Sequence, residues 1–167
     1  LGVCWRLAAD LASRGETVRL WVDDPLALHW MAPDHERSTP GVTVLRWAEP
    51  LPAVDPGDVV IEAFGCDPPP SFVDAMAQAM PVWINLEYLS AEPWVAEHHG
   101  LPSPHPRLPL TRYFFFPGYT PDTGGLLVET DLAARRSRFL GTSVAGFWGQ
   151  LGLDAPQPGE LRVSLFA

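Results

Sequence analysis

Polar side chains follow several of the predicted strands, and their types decide which chemistry they could do. Glu87 and Tyr88 come directly after the apolar run 81–86. In an open sheet of parallel strands, ligands bind in the crevice outside the carboxyl ends of the strands. A carboxylate and a phenol at that place could hold a cationic group, so both residues are candidates for binding. A solvated strand end without a function is an equal alternative.

The polar groups that follow two other predicted strands have simpler interpretations. Asp23 and Asp24 precede Pro25, and this pattern favours a helix cap and a turn. The segment Gly65-Cys66-Asp67 favours a turn in the same way. We therefore expect neither segment to carry the chemistry of the protein.

Other groups that could act as catalysts or metal ligands are few. His98 and His99 are adjacent, so on a helix they point about 100° apart and cannot easily share one metal ion. Cys4 has no neighbouring base and Cys66 follows a strand, which predicts two reduced thiols rather than a nucleophile or a disulfide framework. The sequence has no Walker motif, no Gly-x-Ser-x-Gly elbow and no Gly-x-Gly-x-x-Gly after a strand.

Hydrophobic periodicity predicts the elements that must position these residues. Strands alternate with helices, which predicts an α/β, Rossmann-like domain with a mostly parallel sheet and flanking helices. The predicted strands cover residues 16–22, 41–47, 58–64 and 81–86, and the predicted helices cover residues 2–13, 25–31, 71–80 and 131–151.

Three further segments lead to specific expectations. The apolar runs 59–61 and 82–84 are typical of strands buried on both faces. Residues 101–109 are too rich in proline for regular structure. The aromatic run 113–116 that follows predicts a short strand in the core.

Charge and composition exclude some classes of function. The chain has 167 residues, a net charge of −9 and 47% hydrophobic residues. The acidic excess argues against a nucleic-acid-binding surface, which needs basic side chains to neutralise phosphates. No apolar run reaches the roughly 18–20 residues of a membrane-spanning helix, and the start lacks the basic region of a signal peptide. We therefore predict a soluble, cytoplasmic protein.

Five short strings stand in the same order as in one enzyme family. They are GVCWRLA at residues 2–8, NLEYLSAE at 85–92, FFFPGYT at 114–120, TGGLL at 123–127 and RVSLF at 162–166. Over essentially its whole length, the chain resembles the arginine rhamnosyltransferases that modify elongation factor P. One such string alone would be a weak signal, but five in order are strong.

The resemblance implies the amino-terminal half of a GT-B fold, in which two Rossmann-like halves face each other across a cleft. It also implies transfer of rhamnose from dTDP-rhamnose to an arginine of elongation factor P, with inversion at the anomeric carbon and without a metal ion or another cofactor. The amino-terminal half is expected to present the protein acceptor, and the carboxy-terminal half to hold most of the donor.

The same resemblance places the catalytic aspartate of the family in a D-N-[F/Y]-G-D loop directly before the string that starts here at Gly2. Since the chain opens at Leu1, we predict no catalytic residue in it and expect it to be inactive alone. Both ends look cut. Residues 1–152 are predicted to form the acceptor-side domain, 153–160 a linker, and 161–167 the first strand of a donor-binding domain.

Four residues are assigned to binding. By resemblance, Gly2 matches a glycine at a helix start where backbone amides face the cleft, and Phe166 matches an aromatic position that stacks on the nucleobase of the donor. Glu87 and Tyr88 are assigned to the acceptor arginine from their crevice position and not from a family motif.

Two other kinds of function are alternatives at this point. One is a different GT-B or sugar-nucleotide enzyme, and the other is a non-catalytic α/β domain that binds a protein or a nucleotide. The sequence on either side of the chain separates them. Only the rhamnosyltransferase interpretation requires both an aspartate-bearing glycine loop before Leu1 and a second α/β half after Ala167.

Overall fold

The structure is a computed structural model that describes residues 1–33, 39–48 and 51–163. The chain divides into two compact units, Leu1–Leu127 and a second unit that begins at Val128. All of the described strands belong to the first unit. None of the described helices combines the length and the hydropathy that crossing a membrane requires.

The first unit alternates helices and strands along the chain. Its helices are α1 (Gly2–Ser13), α2 (Ala27–Met31), α3 (Pro70–Ala79) and α4 (Val95–His98). Its strands are β1 (Val18–Val22), β2 (Val42–Arg46), β3 (Val59–Ala63), β4 (Val82–Leu86), β5 (Pro102–Pro104) and β6 (Thr111–Phe115). The predicted α/β class is therefore confirmed.

The strands form two sheets, both dominated by parallel pairs. β1 and β2 pair in parallel, with Val18 opposite Val42. The larger sheet has the order β3-β4-β6-β5, in which β3, β4 and β6 are parallel and β5 is antiparallel to β6. Parallel neighbours need a crossover connection, and α3 supplies it between β3 and β4. This arrangement is that of a Rossmann-like half-domain.

One face of the larger sheet packs against α3 and forms the core. Val60 of β3 and Trp83 of β4 lie in one cluster with Val73 and Met76 of α3 and with Leu110. Met76 is completely buried. Burial of one such apolar side chain contributes about 1.5–3 kcal/mol to stability, so this cluster holds α3 on the sheet.

Part of the opposite face of the same sheet is exposed in this chain, and the prediction that the runs 59–61 and 82–84 are buried on both faces is wrong. Val59, Ile61 and Val82 are 52%, 39% and 54% exposed. Successive side chains of a strand point to opposite faces, so Val60 and Trp83 point towards α3 while these three point away from it. An unbroken apolar run therefore does not show whether a second layer covers the sheet.

The prediction of irregular structure over 101–109 is also wrong in part, because Pro102–Pro104 form the edge strand β5. The amides that flank this strand pair with β6 and its surroundings: Gly100 donates to the Phe114 carbonyl, and His105 donates to the Leu110 carbonyl. A proline is tolerated on an edge strand where its missing N–H would face away from the partner strand. A high proline content alone therefore does not exclude an edge strand.

The second unit is helical in its described part. Helices α5 (Leu132–Arg138) and α6 (Val144–Gln150) flank a π-helical turn (Phe139–Ser143), which confirms the predicted helix over 131–151 and adds one wider turn to it. Residues 151–163 contain neither helix nor strand. Phe166 lies outside the described residues, so its assignment to the donor stays a prediction.

Gly124 lies against the ring of Phe115 and leaves no room for a side chain. A Cβ atom at Gly124 would overlap the Cε1 and Cζ atoms of that ring. We expect Gly124→Ala to lower the free energy of unfolding by about 1–3 kcal/mol, because the core must move to accept the methyl group. Urea denaturation measures the change.

The control for this substitution is Gly149→Ala in α6. A Cβ atom at Gly149 meets no atom of the described residues within 4 Å. Since alanine favours a helix over glycine, this variant is expected to be unchanged or to gain up to about 1 kcal/mol. A Gly124→Ala variant as stable as Gly149→Ala would contradict the close packing at Phe115.

Candidate functional site

The candidate site is formed by the residues that follow β3, β4 and β6. The Phe64 N–H donates to the Leu86 carbonyl over 2.8 Å, and the Glu87 N–H donates to the Phe115 carbonyl over 2.9 Å. These two bonds continue the ladder of the parallel strands past their ends. The sequence-predicted pair Glu87 and Tyr88 therefore follows β4 at the carboxyl edge of the sheet, where the crevice rule expects a ligand.

Glu87 is half-buried, and a neighbouring amide holds its carboxylate. Asn85 Nδ2 donates to Glu87 Oε1 over 2.6 Å. Asn85 is only 2% exposed, and no described residue donates to its Oδ1. The described residues also form no hydrogen bond to Glu87 Oε2. One oxygen of a fixed carboxylate is thus left for a cationic ligand such as a guanidinium.

Tyr88 is 67% exposed, and its ring stacks on that of Phe64. The ring centroids are 4.3 Å apart and the ring planes are inclined by 20°. Phe64 has a φ of 61°, in the left-handed region that a bulky side chain rarely adopts. Such a conformation costs about 1–3 kcal/mol and persists only where the surrounding structure imposes it.

The two segments that the sequence assigned to turns lie in bends between elements, but neither Asp23 nor Asp24 caps α2, whose N-cap is Leu26. Asp24 Oδ1 accepts the Leu26 N–H over 3.0 Å, and Asp23 Oδ1 accepts the Asp24 N–H over 2.9 Å. Gly65 has a φ of 66°, which a glycine adopts without strain. These carboxylates and this glycine therefore have structural roles.

The adjacent histidines have different partners. The Nδ1 atom of His98 lies 2.8 Å from the Trp94 carbonyl oxygen, and Nδ1 of His99 accepts the Phe116 N–H over 3.1 Å. Within the described ranges, no group of three or more His, Cys, Asp and Glu side chains is placed to hold a metal ion. Independence from a metal stays a prediction for the reaction itself.

Both cysteines are free thiols, as the sequence predicts. Burial raises the pKa of Cys4 and of Cys66 above the ordinary thiol value. The nucleophilic form of cysteine is the thiolate, and a raised pKa disfavours it at neutral pH. Neither thiol therefore has the lowered pKa that is typical of a catalytic cysteine.

A buried charge pair between β3 and β6 was not predicted from the sequence. The Glu62 side chain is fully buried, and its Oε1 accepts a hydrogen bond of 2.6 Å from Arg112 Nη1. Its Oε2 accepts a bond of 3.0 Å from Trp83 Nε1. The Arg112 guanidinium also lies over the rings of Trp83 and Phe114, at 5.4 and 5.7 Å from their centroids. The available signal was one charged residue inside each of two otherwise mostly apolar strands.

An open cavity of about 340 Å³ lies beside this pair. Its lining includes the carboxylates of Asp67 and Asp74 and the cations of Arg107 and Arg112. Arg112 Nη1 is also 3.5 Å from Asp67 Oδ1. Because both signs of charge meet here, the cavity favours no one charge class of ligand.

The Glu62 carboxyl is expected to make stability depend on pH. Burial raises its pKa above the ordinary value of 4.5, and the Arg112 and Trp83 contacts lower it by less. The folded protein therefore holds this proton more tightly than the unfolded chain, and stability falls as the pH rises through the interval between the two pKa values. Urea denaturation from pH 4 to 8 measures this trend.

The control for the pH dependence is Glu62→Gln, which has no proton to release. As the pH rises from about 4.5, the native protein is expected to lose free energy of unfolding relative to this variant. A difference that stays constant over the range would show that Glu62 titrates alike in the folded and unfolded states.

Gly2 is the first residue of α1, as predicted. The Trp5 N–H donates to the Leu1 carbonyl over 2.9 Å, which closes the first turn. A Cβ atom at Gly2 would lie 3.1 Å from Met31 Cε, the flexible end of an exposed side chain that can move aside, so packing does not require a glycine here. Binding of the donor by Gly2 stays a prediction.

Comparison with known proteins extends these observations. The family model described as elongation factor P (EF-P) rhamnosyltransferase EarP matches residues 1–167. A protein-arginine rhamnosyltransferase of Pseudomonas putida is 48% identical over 177 residues, covering 100% of this chain and 46% of the relative. The enzyme of the same name from Pseudomonas aeruginosa is 44% identical with the same coverage. A third, from Neisseria meningitidis serogroup B, is 37% identical over 142 residues, 78% of this chain and 36% of the relative.

The chain thus spans less than half the length of the curated relatives that it matches. The match nevertheless covers every described helix and strand, including the edge of the sheet that carries Glu87 and Tyr88. On this evidence, the chain belongs to the EF-P rhamnosyltransferase family EarP.

Proposed function

We propose that this chain forms the acceptor side of a protein-arginine rhamnosyltransferase and receives an arginine of elongation factor P. The family match over residues 1–167 and the names of the curated relatives support the reaction. The observation that carries the acceptor assignment is the Glu87 carboxylate at the carboxyl edge of the sheet, held on one oxygen by Asn85. A carboxylate in that state can form a charge-assisted hydrogen bond to a guanidinium.

In this proposal, the whole protein transfers rhamnose from dTDP-rhamnose within a GT-B cleft, with inversion and without a metal ion. A guanidinium nitrogen attacks the anomeric carbon, the bond from that carbon to the diphosphate oxygen breaks, and the nitrogen loses a proton. Because a guanidinium stays protonated at neutral pH and is a poor nucleophile, the reaction needs a carboxylate to orient it and a base to take the proton. Glu87 has the orienting role here, and the base is the aspartate of the family's glycine loop.

Donor contacts complete the proposal. Backbone amides at the start of α1, beginning at Gly2, face the diphosphate, and Phe166 stacks on the thymine ring. The chain spans less than half of its curated relatives, so the activity is proposed for the whole protein. Residues 1–167 alone are expected to transfer no rhamnose.

Intact mass spectrometry of elongation factor P tests this function. The whole protein, incubated with dTDP-rhamnose and a chelator, is expected to add one rhamnose to elongation factor P and none to a variant whose acceptor arginine is replaced by lysine. Absence of transfer, or transfer to the lysine variant, would contradict the protein-arginine reaction. Loss of transfer on chelation would contradict the metal-independent mechanism alone.

A further inference from the structure

The loop that joins β3 to α3 places the Phe64 ring against Tyr88 at an energetic cost. β3 ends at Ala63, and the next two residues, Phe64 and Gly65, both have left-handed φ angles of 61° and 66°. Gly65 adopts this conformation freely, whereas Phe64 does not. A left-handed φ angle at a bulky residue is a reason to ask whether that residue serves a binding site.

Two contacts join Phe64 to the end of β4. Its backbone N–H donates to the Leu86 carbonyl over 2.8 Å, and its ring stacks on Tyr88 with centroids 4.3 Å apart. The ring contact fixes one face of Tyr88. Since the Tyr88 side chain is 67% exposed, the rest of that ring is open to a ligand.

A tyrosine ring with one open face and a held carboxylate lie at the same edge of the sheet, and a guanidinium can contact groups of both kinds. The guanidinium of arginine is planar, stacks on aromatic faces and pairs with carboxylates, whereas the ammonium of lysine is a compact, strongly hydrated charge. A ring that is immobilised from one side by Phe64 offers such a stacking surface without the entropy cost of ordering it.

We propose that Phe64 is a positioning residue that holds the Tyr88 ring as a stacking surface for the acceptor guanidinium, and that this surface selects arginine over lysine. The inference rests on the proposed function and gives a physical reason why that site would bind arginine in preference to lysine. It adds a residue, Phe64, that does not itself touch the acceptor.

The test measures the affinity of the whole protein for elongation factor P by calorimetry, with arginine or with lysine at the acceptor position. The native protein is expected to prefer arginine by about tenfold. Phe64→Asn and Tyr88→Leu are each expected to reduce this preference to about twofold, a loss of about fivefold that corresponds to one exposed cation–π contact. Asparagine tolerates the left-handed backbone, so this variant removes the ring and keeps the turn.

Two control variants separate positioning from general packing. Phe64→Tyr keeps the ring and is expected to keep the native preference for arginine. Tyr119→Leu removes another exposed tyrosine, 63% exposed and on a different loop, and is expected to leave the preference unchanged. Thermal denaturation of each variant reports folding independently of the arginine-to-lysine ratio.

The outcomes distinguish this inference from the function on which it rests. A native protein that binds neither acceptor would overturn the proposed function, and the inference with it. A native protein that prefers arginine, together with a folded Phe64→Asn variant of the same preference, would overturn the inference alone. Loss of the preference in Tyr119→Leu would also overturn it, because the effect would then not be specific to the stacked pair.

Discussion

Replacing Glu62 by alanine is expected to lower the free energy of unfolding by about 3–5 kcal/mol, the usual cost of removing one partner of a buried ion pair. The carboxylate is fully buried and accepts from both Arg112 and Trp83, so its loss leaves Trp83 Nε1 in the core without its acceptor and Arg112 with only the long contact to Asp67. Arg112 is itself 26% exposed, which places the expected cost towards the lower end of that range. Urea denaturation at neutral pH measures it.

Two variants make this prediction specific. Asp67→Asn removes the charge of a carboxylate that also lies near Arg112 but is 85% exposed, and asparagine tolerates the left-handed φ of 42° at this position, so the expected change is below about 1 kcal/mol. The double variant Glu62→Met with Arg112→Met replaces the whole pair by apolar side chains and is expected to recover most of the loss. A cost for Glu62→Ala as small as that for Asp67→Asn would contradict the assignment of Glu62 to the core.

The second large effect is expected on activity. Glu87→Gln in the whole protein is expected to lower kcat/KM for elongation factor P by about 10- to 100-fold, because a charge-assisted hydrogen bond contributes about 1.5–3 kcal/mol. Glutamine keeps the oxygen that accepts from Asn85 Nδ2, so the local fold is retained while the negative charge is lost. The KM for dTDP-rhamnose is expected to stay the same. Steady-state transfer rates measure both parameters.

The matched control is Glu97→Gln, which removes the same charge from an exposed position on α4. Its transfer rate is expected to equal that of the native protein. If Glu87→Gln behaves like Glu97→Gln, Glu87 does not contact the acceptor arginine. If Glu87→Gln instead raises the KM for dTDP-rhamnose, the residue acts on the donor and not on the acceptor.

Local patterns were sufficient to predict most of the elements. The periodicity over residues 2–13 predicts α1 with the bounds that the structure gives, and the apolar run 81–86 predicts β4 to within one residue. Both signals come from residues close together in the chain, where side-chain spacing reflects helix or strand geometry directly. The same local reasoning placed Glu87 and Tyr88 at the carboxyl edge of the sheet.

Features that depend on distant residues could not be predicted. β5 forms because this segment and the residues that flank it pair with β6 and its surroundings, and no local pattern in a proline-rich segment indicates that partner. The exposure of Val59 and Val82 depends on which face α3 covers. The Asn85 contact to Glu87 follows from strand geometry, but the Phe64 stack also requires a left-handed turn that a phenylalanine does not predict.

The most direct test of the acceptor-side assignment is hydrogen–deuterium exchange of the whole protein with each substrate in turn. Elongation factor P is expected to slow exchange in peptides that cover residues 62–68 and 84–90, which carry Phe64, Glu87 and Tyr88. The donor dTDP-rhamnose, added alone, is expected to leave those peptides unchanged. Protection of both segments by dTDP-rhamnose and not by elongation factor P would contradict the account.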